Sequence, residues 1–246
     1  MCPNKNTEQL STWGSDPQVS LEKMCIARYM GILERMKQIL PILADIANGI
    51  FATVLAGLFT NTEILWWYFL IGIPLAMLPD LDAIPELLRR GKVASSSTNI
   101  SDHRDGLHFP VLFLIIGICA GIYFGFFGYL FLFATMLHFV NDVYGTGWGI
   151  KLLWPISKRK YKFFGSRINQ PQKMLKEKGA FKAVEPAEQK IHFLASWSEQ
   201  EQPEYIKRFG YDDWIDRVYM TVNWISITEY CLFGLSLILL MLTLIY

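Results

Sequence analysis

The sequence predicts an all-α, polytopic membrane protein with about five transmembrane helices, arranged as two helical hairpins and a C-terminal helix. Three observations predict this fold. Apolar residues make up 52% of the 246-residue chain and charged residues only 18%, whereas soluble domains are about 25% charged. Aromatic residues make up 15%, which is typical of helices that face lipid and carry rings at the membrane surfaces. Five separate apolar runs account for most of this composition.

The apolar runs define the predicted helices in order. They are Ile39 to Thr60, Ile64 to Leu78, Phe109 to Phe124, Phe126 to Val140, and Trp224 to Tyr246. Only the first and last reach the roughly 20 residues that a membrane-spanning helix needs. The middle three are shorter, so they can span only if their polar ends are buried in protein rather than in lipid.

The domain organisation follows from these runs and from charge. We expect an N-terminal segment over residues 1–38, a four-helix membrane domain over 39–155, a basic and amphipathic loop over 156–223, and a C-terminal helix over 224–246. Short connections at 61–63 and 125–128 predict the two hairpins. Basic residues cluster at Arg89 to Lys92 and between Lys151 and Lys190, and the positive-inside rule assigns these segments and the N-terminus to the cytoplasm. The predicted location is the plasma (inner) membrane.

Charge and cysteine content exclude several classes of partner and site. The net charge of +1 gives no electrostatic argument for a nucleic-acid partner. The four cysteines are isolated in the sequence, which predicts neither disulfides nor a cysteine metal site. The expected partners are the lipid bilayer and a lipid or lipid-linked substrate, and the sequence defines no oligomeric state.

Ionisable residues gather at the ends of the apolar runs. Asp80 and Asp82 follow the second run, between Pro79 and Pro85, which prevent a regular helix there. The bland alternative is a helix-terminating turn with two solvated acids. His103 and His108 precede the third run, and a bend at Gly106 can bring them together. His138 and Asp142, near the end of the fourth run, are spaced i, i+4 and share one helical face.

All three clusters reach the same membrane face in the N-inside arrangement. This convergence predicts a divalent metal site, with zinc as the favoured ion, held by Asp80, Asp82, His103, His108, His138 and Asp142. Six ligands exceed the four of a tetrahedral zinc site, so we expect one open catalytic metal or two metals bridged by a carboxylate. Asp45, early in the first run, is expected to be a further ligand or an acceptor that orients a histidine.

The motifs Leu-Pro-Asp-Leu-Asp (78–82), His-Arg-Asp-Gly-Leu-His (103–108), His-Phe-Val-Asn-Asp (138–142) and Leu-Leu-Trp-Pro (152–155) occur in this order. As a set they resemble the bacterial YdjM-like inner-membrane proteins, described as predicted metal-dependent hydrolases, over about residues 40–165. The resemblance implies metal binding by the six residues named above. The family usually has a histidine in its first helix, whereas this chain has none before His103, and Asp45 is the expected substitute.

The predicted function is a membrane-bound metal-dependent hydrolase. A metal lowers the pKa of a bound water toward 7, so that the water attacks an ester or phosphoester at the membrane face. Asp105 and Asp142 are the candidate general bases. Arg104 is expected to bind a substrate phosphate or carboxylate, or else to form a salt bridge with Asp102 or Asp105. The alternative functions are a non-enzymatic membrane protein with a structural metal site and an ion or metal transporter.

Overall fold

A computed structural model describes residue 37, residues 39–170 and residues 184–245. The chain divides into one unit over residues 1–39 and a second over residues 40–246. The features below belong to the second unit. The segment predicted over residues 1–38 lies almost entirely outside the described residues.

Five apolar helices occupy the five predicted runs. They are α1 (Ile42–Thr60), α2 (Trp66–Ala76), α4 (Pro110–Phe124), α5 (Phe126–Tyr144) and α9 (Trp224–Ile245). By length and composition, three helices in the described residues can cross a membrane, namely α1, α5 and α9. A fourth crossing is formed if α2 and the helical segment Leu78–Arg90, bent by 46° relative to each other, are taken as one span. The chain is therefore a mostly helical protein with three or four candidate membrane-spanning helices.

Small residues allow α1 and α2 to pack closely. A methyl group at Gly72 would overlap the Thr53 side chain, and one at Gly49 would overlap the backbone at Ile73. Residues early in α1 therefore meet residues late in α2, so the helices run antiparallel. Such close backbone approach is typical of small residues at membrane helix interfaces.

The pair α4 and α5 packs in the same way. Gly117 lies against Leu132 and Gly121 lies against Tyr129. Between the two helices, Gly125 has a φ of 57°, a conformation that glycine adopts without steric cost. The chain reverses direction at this residue.

The polar segment between α2 and α4 begins with a 3₁₀ helix, Leu78–Ala83, followed by α3 (Ile84–Arg90). The irregular turn predicted from the two prolines is this 3₁₀ helix, which carries both aspartates. A second 3₁₀ turn, His103–Asp105, lies shortly before α4. The first 3₁₀ helix follows the α1–α2 pair and the second precedes the α4–α5 pair. Each therefore lies at the end of its pair that is away from the short connection between the two helices.

Residues 145–223 contain a small lobe built around a β-hairpin. Strands β1 (Lys160–Gly165) and β2 (His192–Trp197) are antiparallel, with Lys160 opposite Trp197. Three short helices belong to the same segment. They are α6 (Pro186–Gln189), which lies between the two strands in sequence, and α7 (Gln202–Phe209) and α8 (Trp214–Val218), which follow β2. The lobe has a core formed by Trp148, Ile168, Val184, Ala195, Trp197, Ile206 and Phe209. The apolar side of α7 is buried in this core, so the basic and amphipathic loop predicted over residues 156–223 contains a packed core of its own.

Candidate metal centre

Four elements bring the seven predicted ligands to one place. Asp45 comes from the first turn of α1, Asp80 and Asp82 from the 3₁₀ helix, His103 and His108 from the segment before α4, and His138 and Asp142 from the last turns of α5. They form three overlapping groups, and within each group one potential ligand atom per residue lies within 4.8 Å of the others. Asp80, His108 and His138 each belong to two groups and lie at the centre of the cluster.

Four ligand atoms form an inner set. The Nε2 atom of His108 is 3.4 Å from Nε2 of His138, 3.3 Å from Oδ1 of Asp80 and 3.1 Å from Oδ2 of Asp142. The Nε2 atom of His138 is 3.7 Å from Oδ1 of Asp80 and 3.2 Å from Oδ2 of Asp142. Zinc bonds of roughly 2.0 to 2.1 Å place the corners of a tetrahedron about 3.3 to 3.4 Å apart. The five distances are close to the edge lengths of such a tetrahedron.

The two oxygens of Asp142 have different surroundings. Oδ1 forms a 2.6 Å ion pair with Arg104. Oδ2 is buried, 3.1 Å from Nε2 of His108 and 3.2 Å from Nε2 of His138, and when both imidazoles carry their proton on Nδ1 no described group donates a hydrogen bond to it. A buried acceptor without a donor is energetically costly. A cation between Oδ2 and the two Nε2 atoms removes that cost, so the residues present fit a metal ion.

Two further carboxylates lie behind the central histidines. Oδ1 of Asp45 is 2.7 Å from Nδ1 of His138, and Oδ2 of Asp82 is 3.1 Å from Nδ1 of His108. A carboxylate on Nδ1 holds the proton there and leaves the lone pair of Nε2 directed inward. The geometry therefore favours Asp45 and Asp82 as orienting acceptors over direct ligands.

His103 lies at the open side of the cluster. Its Nε2 atom is 3.6 Å from Oδ1 of Asp80, and its Nδ1 atom is 3.8 Å from Oδ1 of Asp102. The side chain of Asp80 is 38% exposed, whereas those of His108, His138 and Asp142 are buried. Solvent or a substrate therefore reaches the cluster past Asp80 and His103.

Arg104 is buried against the cluster. Besides its ion pair with Asp142, its Nη1 atom donates a 2.7 Å hydrogen bond to the carbonyl of Thr146. Gly147, with a φ of 89°, leaves the space for this guanidinium, because a methyl group there would overlap Nη1. The salt bridge predicted between Arg104 and Asp102 or Asp105 is therefore wrong, because Arg104 pairs with Asp142.

Asp105 lies outside the three ligand groups. Its carboxylate is 3.0 Å from Nζ of Lys151 and 3.1 Å from Nζ of Lys160, and its side chain is about half exposed. Lys160 also pairs at 2.7 Å with buried Asp102, the neighbour of His103. The structure thus uses Asp105 and the lysines to hold the histidine-bearing loop.

The cluster is rich in carboxylates. Those of Asp45, Asp80, Asp82 and Asp142 surround the two central imidazoles, and the guanidinium of Arg104 pairs with Asp142. Burial alone lowers the pKa of His108, but the carboxylates of Asp142, Asp80 and Asp82 oppose this effect and raise the pKa to about 10. A cation that binds here therefore displaces a proton from His108.

The sequence analysis missed Glu229. It is the only charged residue in α9, it is 2% exposed, and it hydrogen-bonds with Tyr219. Its carboxylate also lies close to Gly145, just after the end of α5. A single acid inside a 22-residue apolar helix was the available signal, since such residues are costly in a membrane and face the protein interior.

The profile of the family described as YdjM inner membrane protein matches residues 43–197. The chain belongs to this family. The match extends from the start of α1 to the end of β2, so it contains every predicted ligand and the β-hairpin, and it ends before α9. Comparison with curated proteins and with solved structures finds no match. The YdjM family and the apolar helices together identify an integral inner-membrane protein.

Proposed function

We propose that this protein is a membrane-bound metal-dependent hydrolase that acts on an ester or phosphoester bond of a lipid or lipid-linked substrate. The observation that carries the proposal is the inner set of four atoms on Asp80, His108, His138 and Asp142, spaced 3.1 to 3.7 Å apart in all the pairs given above. The carboxylates of Asp45 and Asp82, which lie next to the Nδ1 atoms of the two histidines, also support the proposal. A divalent cation would replace the protons that these carboxylates otherwise hold on the histidines.

The donor types favour a catalytic over a structural metal. Structural zinc sites are usually closed and rich in cysteine, whereas catalytic zinc sites use histidine and carboxylate ligands and keep a position for water. Here the donors are two imidazoles and two carboxylates, and both described cysteines, Cys119 and Cys231, lie elsewhere and are exposed. Because four donors fill a tetrahedron, a water molecule would take a fifth position or the place of the partly exposed Asp80. Zinc is the ion we propose, because imidazole ligands suit it.

Each residue has a distinct task in the proposed reaction. The bound metal supplies Lewis acidity and lowers the pKa of a water molecule. Asp45 and Asp82 fix the imidazoles that hold it, and Arg104 neutralises the second oxygen of Asp142. Because Asp142 is committed on both oxygens, we assign proton transfer to His103, whose imidazole lies at the open side. The general-base role predicted for Asp105 requires its release from two lysines.

We also propose five membrane crossings with the N-terminus and the site on the cytoplasmic side. The short helices α2 and α4 cross because their polar ends are covered by the cluster and by the lobe. The basic segments around Arg89 and between Lys151 and Lys190 support this orientation. Labelling of single cysteines in each loop tests it, and opposite labelling of these two segments would contradict it.

The test of function compares two histidine variants of the purified chain. His138→Ala removes an inner ligand, whereas His192→Ala removes a histidine that only meets the carbonyl of Ala187. Metal content is measured first, and hydrolysis of a fluorogenic phosphodiester and of an acyl ester, both in mixed micelles, is measured next. We expect metal and activity to be lost together in His138→Ala and kept in His192→Ala. Metal binding without hydrolysis of either substrate class would favour a structural site.

A further inference from the structure

The β-hairpin buries its lysines and exposes its aromatic rings, which is the reverse of what is expected in water. The side chains of Lys160 and Lys162 on β1 are buried, with residue exposures of 2% and 5%. Phe164 on the same strand is 53% exposed, and Phe193 on β2 is 69% exposed. Lysines are almost never fully buried unless paired. The buried lysines and the exposed rings therefore each need an explanation.

The buried lysines are explained by their contacts with the loop that bears the histidines and with neighbouring loops. Lys160 pairs with Asp102 at 2.7 Å and with Asp105 at 3.1 Å. Lys162 donates hydrogen bonds of 3.0 Å to the carbonyl of Gly147 and 2.7 Å to Oδ1 of Asn169. Lys160 and Lys162 lie on one side of β1 because side chains alternate along a strand, so these contacts hold the start of β1 against the protein.

The end of the hairpin away from Lys160 carries a continuous apolar surface. The rings of Phe163 and Phe164 lie 5.3 and 5.2 Å from the ring of Phe193. Leu194 is paired with Phe163 in the strand register, and Ile191 next to β2 is 76% exposed. An apolar surface of this kind marks a site of interaction with protein or membrane.

The position of this surface relative to α5 indicates which partner covers it. Phe163 and Phe164 share an apolar cavity of about 330 Å³ with Val140, Tyr144 and Pro110. Helix α5 is a candidate membrane span, and Val140 is 58% exposed on its outer side. Val140 precedes the last residue of α5 by four positions, or roughly 6 Å. The hairpin therefore lies at the depth of the last turn of a membrane helix, and its aromatic face continues the lipid-facing surface of that helix.

We propose that the apolar end of the β1–β2 hairpin, around Phe164 and Phe193, inserts into the leaflet in which α5 ends. The bilayer of the host membrane covers this apolar surface, and its acyl chains fill the cavity between the hairpin and α5. An element of this kind lies about 5 to 10 Å below the headgroup level. Insertion also anchors the two lysines that hold the histidine loop. The proposal is independent of metal binding and of hydrolysis.

Depth-dependent quenching in nanodiscs tests the insertion on the full chain. The native cysteines, Cys2, Cys25, Cys119 and Cys231, are replaced by serine. A nitrobenzoxadiazole label is then attached at Phe164→Cys, at Phe193→Cys, or at Glu204→Cys, an exposed position of α7 on the same lobe. The nanodiscs contain phosphatidylethanolamine and phosphatidylglycerol with or without lipids that carry a doxyl group at acyl carbon 5.

We expect doxyl lipids to quench the labels at 164 and 193 at least about twofold more strongly than the label at 204, and aqueous iodide to show the reverse order. Equal quenching at the three positions would overturn the proposal. Protection of 164 and 193 from both quenchers would also overturn it, because the face would then be covered by protein, such as a second copy of the chain. The labels on separate strands keep the test valid if one variant fails to fold.

Discussion

Replacing Asp45 isolates the contribution of an orienting carboxylate to metal affinity. Its Oδ1 atom lies 2.7 Å from Nδ1 of His138, and the residue is only 7% exposed. Loss of such a partner behind a ligating histidine weakens metal binding roughly 10- to 100-fold, which is about 1.4 to 2.7 kcal/mol. Asp45→Asn keeps an acceptor oxygen but removes the charge, so we expect the lower value. Asp45→Leu removes both and should reach the upper value.

The assay is a competition titration of the detergent-solubilised chain against a chromophoric zinc chelator. Thr53→Val is the matched control, because Thr53 is also buried in α1 but its hydroxyl bonds only to the carbonyl of Gly49. We expect the control to keep the wild-type dissociation constant. Unchanged affinity in Asp45→Leu would refute the assignment and leave the site to the remaining residues.

Three further predictions concern stability. Gly147→Ala should lower the melting temperature, because its methyl group would overlap the guanidinium of Arg104 and a side chain at positive φ costs about 1 kcal/mol or more; a wild-type melting temperature would contradict this. Gly72→Ala, which forces α1 and α2 apart, should lower the melting temperature, whereas Gly234→Ala, which has open space around it, should leave it equal or higher. Equal effects of both would show that the close packing is unimportant. Burial and Arg104 lower the pKa of Lys162 from 10.5 to about 7, so the unfolded chain binds the extra proton between these values and stability should rise with pH across that window. In thermal unfolding, the melting temperature of Lys162→Met should rise less between pH 7 and pH 9 than that of the wild type. An identical rise would contradict the assignment.

The sequence was most informative where hydropathy and covalent constraints act locally. Apolar runs located the five apolar helices of the described residues, because burial in lipid or protein demands such runs. The prolines at 79 and 85 located the break that carries Asp80 and Asp82. The i, i+4 spacing placed His138 and Asp142 on one face of α5. The convergence of these residues followed from counting helices between them.

Contacts between distant segments could not be predicted in this way. Nothing in the sequence distinguishes Asp45, which accepts from Nδ1 of an imidazole, from Asp80, which offers an oxygen to the metal, since neither spacing nor hydropathy shows which atom of a histidine an acid meets. Arg104 could not be assigned to Asp142 because its position depends on Gly147, 43 residues later. The lysines of β1 looked like part of a basic loop, although they are buried against Asp102 and Gly147. Glu229 was overlooked because the surrounding run is otherwise apolar.

X-ray absorption at the zinc edge of the purified full-length chain tests the metal centre most directly. The predicted spectrum has a first shell of nitrogen and oxygen atoms at about 2.0 to 2.1 Å, with the outer-shell scattering of two imidazoles. This result is expected from Asp80, His108, His138 and Asp142 as the inner ligands. A sulfur shell at about 2.3 Å, or a chain that binds no metal, would contradict the account.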